Sequence, residues 1–167
     1  MADYSLSVAS EIRKYLWSEL QAAGILSASD YTVGSLSLNP IVPIQQQPEL
    51  VDKIGGKPFI VYDEIESVID SDLWYVHNEQ VLFTVYAEDF KTANKIRNLM
   101  VDLFRRQDAS AHDLNLYTAA NNFGYLNVTI LENRPVKAER STTGRMSFDM
   151  IVGVRYVRHL GSTGRFS

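Results

Sequence analysis

At the start of the chain, Val8, Ile12, Tyr15, Leu16, Leu20 and Ala23 recur at spacings of three and four, while Arg13, Lys14, Ser18 and Gln21 fall on the opposite side. That period predicts an amphipathic helix over roughly Leu6 to Ala23, with one face against a sheet. Ser5 or Ser7 can cap its first turn, and Gly24 suits the left-handed residue that ends it. A second stripe, Phe90, Ala93, Ile96, Leu99, Met100, Leu103 and Phe104, predicts a helix over roughly Phe90 to Arg106. Asp89 is its expected cap, and Arg105 and Arg106 complement the macrodipole in its last turn.

Elsewhere the period shortens to two. Phe59 to Ile65 reads as a strand, and Leu73 to Tyr86 as a longer one with Val81, Phe83 and Val85 on one face and Leu82, Thr84 and Tyr86 on the other. The acidic, turn-like connection Glu66 to Asp72 suggests an antiparallel hairpin. Phe123 to Arg134 sets Leu126, Val128 and Ile130 against Tyr125, Asn127 and Thr129. Arg145 to Arg158 sets Met146, Phe148, Met150, Val152, Val154 and Tyr156 against Ser147, Asp149, Ile151, Gly153, Arg155 and Val157. The linker Pro135 to Gly144 reads as an exposed hairpin tip, and 107–122 as polar chain with at most a helical turn.

Tyr31 to Pro58 breaks both periods. Four of the five prolines lie there (Pro40, Pro43, Pro48, Pro58), with Gln45-Gln46-Gln47 and Gly55-Gly56. Proline removes a ladder donor, so central strands are excluded and an extended arm over 39–58 is expected, with one edge strand near Gly34–Leu38. The expected fold is α+β: a mainly four-stranded antiparallel sheet with two helices on one face and a long Pro-rich arm, in one domain over 1–160 with a loose tail over 161–167.

Composition leaves that fold in place and adds a charge split. Residues 62–89 hold eight acids (Asp63, Glu64, Glu66, Asp70, Asp72, Glu79, Glu88, Asp89) and no Lys or Arg; 131–167 hold seven bases against three acids, +4 against −8 for the first 130 residues. A surface divided in this way can pair with a rotated copy of itself. A pI near 5.3 argues against general phosphate binding. The absence of Cys excludes disulfides and thiolate zinc sites. No apolar run reaches the roughly 20 residues of a membrane span, and the first ten residues lack a signal-peptide core, so a soluble, cytoplasmically made protein is expected.

Catalytic constellations are not evident. His77, His112 and His159 lack ligand spacing, Gly55-Gly56-Lys57-Pro58 lacks the phosphate-loop spacing, and no nucleophile motif occurs. Asp70 and Asp72 lack the spacing of a calcium loop and read as a solvated turn. Asn127-Val128-Thr129 matches a glycosylation sequon inside an expected strand, an accidental match. No enzyme activity, cofactor or metal is expected. Trp74, Tyr75, Tyr86, Tyr125 and Tyr156 either cover the sheet or anchor subunit contacts.

The phrases Pro43-Ile44-Gln45-Gln46-Gln47-Pro48-Glu49, Gly56-Lys57-Pro58-Phe59-Ile60-Val61-Tyr62-Asp63, Trp74 through Asp89, and Leu99-Met100-Val101-Asp102-Leu103-Phe104-Arg105-Arg106 occur in an order of elements that resembles the tail terminators of long-tailed bacteriophages, over about residues 5–160. The resemblance implies a virion structural protein: a homo-oligomeric ring, typically hexameric, that caps the head-proximal end of the tail tube. Its partners would be the tube protein, the neck or connector and, in contractile tails, the sheath. DNA would pass through an acidic lumen without specific binding, and no membrane is involved. Candidate interface residues are Asp63, Glu64, Glu66, Asp70, Asp72 and Trp74 on one subunit, Arg134, Arg145, Arg155 and Arg158 on the next, and Pro43 and Pro48 in the arm. Rival readings are a head–tail connector, a ligand-binding α+β module with a deep polar pocket, and a single-stranded nucleic-acid binder using aromatic residues.

Overall fold

The computed structural model describes residues 7–26, 29–33, 35–44, 57–69, 73, 75–117, 123–138 and 145–158. Residues 45–56 of the expected 39–58 arm, 139–144 of the expected 135–144 hairpin tip, and the tail over 161–167 lie outside the described residues. The chain is α+β. Helix α1 (Val8–Ala22) is followed by the short strands β1 (Tyr31–Val33), β2 (Leu36–Leu38) and β3 (Ile41–Pro43), then β4 (Phe59–Ile69) and β5 (Val76–Ala87). Helices α2 (Phe90–Phe104) and α3 (Asp108–Tyr117) come next, then β6 (Phe123–Asn133), β7 (Lys137–Ala138) and β8 (Met146–Arg158).

Local chemistry sets the helix ends. Ser7 and Ser10 form a reciprocal capping box, each backbone N–H donating to the other's hydroxyl at 3.1–3.2 Å. At the far end Gly24 has φ +72°; its N–H donates to Gln21 O, and that of Ile25 to Leu20 O. This pair of bonds is a Schellman turn, open to glycine because no Cβ is needed in the left-handed region. Asp89 accepts from the Thr92 N–H at 2.7 Å and starts α2. Gln107 (φ 51°) then turns the chain into α3, ten residues long where at most one turn was expected.

Among the described residues the sheet is mixed and six-stranded, correcting the four-stranded antiparallel expectation. Its order is β3-β4-β5-β8-β6, with β7 also on β8. Both expected hairpin pairings, β4 with β5 and β6 with β8, are antiparallel, and a β5–β8 pairing joins them. β3, expected as part of an arm, pairs parallel with β4. Pro40 O accepts from Ile60 N–H at 2.8 Å, so alternation turns residue 42 toward β4 and residue 43 away. Pro43 therefore sits where a missing donor costs nothing, at an edge.

Two cores lie on opposite faces. On one, Val8, Ile12, Leu16 and Leu20 of α1, Ile96, Met100 and Phe104 of α2, and Ala111 and Leu114 of α3 cover Ile60, Val81, Phe83, Val85, Phe148, Met150, Val152 and Val154. We call this the helix face. On the far face Tyr31, Leu38 and Val42 cover Phe59, Val61 and Tyr86, so the β1–β2 hairpin closes one end of the sheet.

Three details depart from simple alternation. A bulge at Ile65 resets the register, and Glu66–Ile69, expected as a turn, continue β4 against Gln80–His77. A bulge at Leu126 puts that leucine outside, while Tyr125 and Val128 share the helix face. Phe90, at the first position of α2, is exposed rather than part of the buried stripe.

Candidate functional site

The acidic segment occupies the free end of β4. β3 pairs only with Ile60–Tyr62, so among the described residues Asp63–Ile69 have a strand on the β5 side alone. Asp63 is half-buried and faces away from the helices; Glu64 and Glu66 are exposed. The Glu64 carboxylate accepts a backbone hydrogen bond from Ala9 in the first turn of α1, where the helix dipole favours an anion. Partial desolvation and then the neighbouring Glu79 nonetheless push its pKa up. Ile65, Val68 and Ile69 lie exposed among these acids. Asp70, Asp72, Trp74 and Pro48 lie outside the described residues.

The basic candidates are scattered. Arg134 is exposed and paired within the chain, its Nε and terminal nitrogen both 2.8 Å from Glu132 Oε1. Arg145 is buried, with its guanidinium 5.3 Å from the centre of the Phe59 ring. That geometry is a cation–π contact inside the far-face core. Arg155 is half-buried on the far face of β8, in register with Asn78 and Asn127. With Gln80, Thr129 and Leu131 it lines a shallow open hollow of about 360 Å³. Arg158 closes β8 opposite Phe123; its side chain is outside the described residues. Pro43 ends β3, half-buried. The structure thus gathers Asp63, Glu64 and Glu66 along one edge, but does not gather the described arginines, Arg134, Arg145 and Arg155, into one patch.

The strand edges are guarded unequally. At β3, Asn39 Oδ1 accepts the Ile41 N–H at 2.9 Å, and Pro43 has no N–H to offer. At β6, the Asn115 amide brackets Tyr125, accepting its N–H and donating to its C=O at 2.8 Å each. Gln107 O accepts from Val128 N–H at 3.4 Å. Both ends of the sheet thus carry side-chain or loop plugs of the kind that prevent uncontrolled strand addition. Among the described residues, Asp63–Ile69 of β4 and Thr129–Asn133 of β6 carry none. No protein-family model matches the chain, and no curated protein matches it at a significant level.

Two tyrosine–carboxylate contacts, one buried and one part-buried, were not anticipated. Tyr125 OH donates to Glu11 Oε2 at 2.5 Å, and Tyr156 OH to Glu79 Oε1 at 2.6 Å, with Ser67 Oγ donating to the same oxygen at 3.3 Å. The His77 ring stacks on Tyr156 at 5.3 Å. Burial raises the Glu11 pKa, against the opposing hydrogen bond from Tyr125 and the charge of Lys14. Burial, then the Glu11 contact, pushes the Tyr125 phenol well above the ordinary range. One signal pointed here: Glu11 stands three residues after Val8 and four before Tyr15, on the apolar face of α1. Of the aromatics weighed as interface anchors, Tyr86, Tyr125 and Tyr156 are buried within the chain and Tyr75 is exposed. Among the described residues no three His, Asp or Glu side chains converge as metal ligands, and no helix is long and apolar enough to cross a membrane.

Proposed function

We propose that this chain is a structural protein of a phage tail, a terminator that closes into a ring, hexameric by its resemblance, at the head-proximal end of the tube. It stops tube growth and offers its upper face to the neck or connector. The observation that carries this reading is the end of β4, which among the described residues is paired on the β5 side alone. There Ile65, Val68 and Ile69 stand exposed among Asp63, Glu64 and Glu66, on a strand that projects past its β3 neighbour. An exposed apolar cluster on an unguarded strand edge is a surface adapted to cover by another chain. The order of sequence phrases that resembles tail terminators then favours a copy of the same chain, with the tube below.

Negative-stain electron microscopy of the protein, alone and added to growing tail tubes, tests this. The expected result is a ring seated at one end of tubes of limited length. Tubes that lengthen without limit and carry no cap in its presence would refute it.

A further inference from the structure

The two unguarded edge segments match each other. On β4, the Ile60 N–H points toward β3, and alternation through the bulge at Ile65 gives outward backbone groups at Glu64 and Ser67. On β6, Tyr125 and Val128 point outward, as their bonds to Asn115 and Gln107 show; continuing through the bulge at Leu131 gives outward groups at Ile130 and Asn133. Each segment therefore presents outward groups three residues apart, on either side of one extra residue. Both extra residues, Ile65 and Leu131, are exposed apolar side chains.

Direction and charge fit as well. β4 runs antiparallel to β5, β5 to β8 and β8 to β6, so β4 and β6 run in opposite senses. A copy rotated about an axis along the strands brings its β6 antiparallel to β4. In that register Glu64 lies opposite Asn133 and Ser67 opposite Ile130, all with side chains on the helix face. Ile65 then stands opposite Glu132 and Glu66 opposite Leu131, which leaves Ile65 and Leu131 as diagonal neighbours. Asn133 accepts from Arg97 Nε at 3.0 Å, so a cation from α2 comes to the acidic edge, and exposed Lys137 follows on β7. No Lys or Arg occurs between Tyr62 and Asp89 to oppose this.

We infer that the sheet continues from subunit to subunit, Asp63–Ile69 of one copy adding antiparallel to Thr129–Asn133 of the next. The guards on β3 and on the first half of β6 confine strand addition to these two segments and so set its register. Such an interface is heterologous, and rotation closes it into a ring. The inference rests on the ring reading above and names the surface that builds it.

The chain has no cysteine, which makes the test free of background. Ser67→Cys with Ile130→Cys places thiols opposite one another only between copies. Within one chain β4 and β6 are three strand spacings apart, about 14 Å, too far for a disulfide. Glu64→Cys with Asn133→Cys, both at exposed positions, is the second pair should the first disturb the core under Ile130. After mild oxidation of assembled protein, each double variant is expected to give a covalent ladder on a non-reducing gel that ends at the ring size. Each single variant gives nothing above a dimer. Rings visible by microscopy with no ladder from either pair overturn the edge pairing and leave the ring reading standing. Absence of both rings and ladder, with tail tubes present, overturns both.

Discussion

Among single residues, Glu11 has the largest consequence. It is 2% exposed, its Oε1 has no partner among the described residues, and its other oxygen holds the Tyr125 phenol. Its folded-state pKa is raised above the ordinary 4.5. Well below that value folded and unfolded chains both carry the proton. As pH rises the unfolded chain releases it first, so folding loses stability until the folded carboxyl ionises too. The urea midpoint of the wild type is therefore expected to fall, relative to Glu11→Gln, as pH rises from about 4.5 through the raised value. A gap between the two proteins that stays constant with pH would contradict a strained Glu11. Tyr125→Phe strands the carboxylate entirely and is expected to cost about 1–3 kcal/mol in urea unfolding at neutral pH. Sequence made Glu11 visible as an acid on an apolar stripe, but not its partner, because Tyr125 is 114 positions away.

At the scale of elements, periodicity identified α1 and α2 and their caps, since those depend on neighbours within a few residues. It did not identify α3. Only Ser110, Ala111 and Leu114 of that helix are buried, too little apolar area for a visible stripe. α3 is held by the Asn115 bracket on the β6 edge, together with buried Ala111 and Leu114 and the Arg106–Asp113 ion pair. Asn115→Ala is expected to cost about 1–3 kcal/mol in urea unfolding, with amide exchange accelerating first at Tyr125. In α2 the same physics separates two positions the stripe treats alike. Phe104 is buried between Tyr15 and Phe83, with ring centroids 6.5 and 6.2 Å away, whereas Leu99 is half-buried. Phe104→Ala should cost about 3–5 kcal/mol and Leu99→Ala close to 2, measured by chemical denaturation. The bulges at Ile65, Leu126 and Leu131 were invisible for a related reason: an extra residue in one strand is defined only by the partner it fails to match.

For the whole molecule, the charge split of the sequence became something narrower. Asp63, Glu64 and Glu66 stay together because they follow one another along β4, whereas Glu88 and Asp89 fall between the end of β5 and α2. The arginines separated because strand alternation and the far-face core took them to different places: Arg145 inside over Phe59, Arg134 onto Glu132, Arg155 onto the far face. In the proposed ring, electrostatics would therefore steer and align association more than hold it, since exposed ion pairs contribute about 0–1 kcal/mol each. Raising salt from about 0.05 to 0.5 M should slow assembly followed by light scattering, yet leave formed rings intact, because screening reaches rim charges and not covered apolar side chains. Rings that dissolve over that range would mean the charges carry the interface.

By itself the sequence determined the α+β class, two helices with their caps, both hairpin pairings and the contiguous acids, because each follows from residues close in the chain or from a period that repeats along it. Only the tertiary structure decided the strand order, the parallel β3, the buried carboxylate–tyrosine pairs and which edges stay unguarded. Those depend on which distant backbone groups meet and which remain unpaired, and a one-residue bulge is enough to turn a side chain from one face of the sheet to the other.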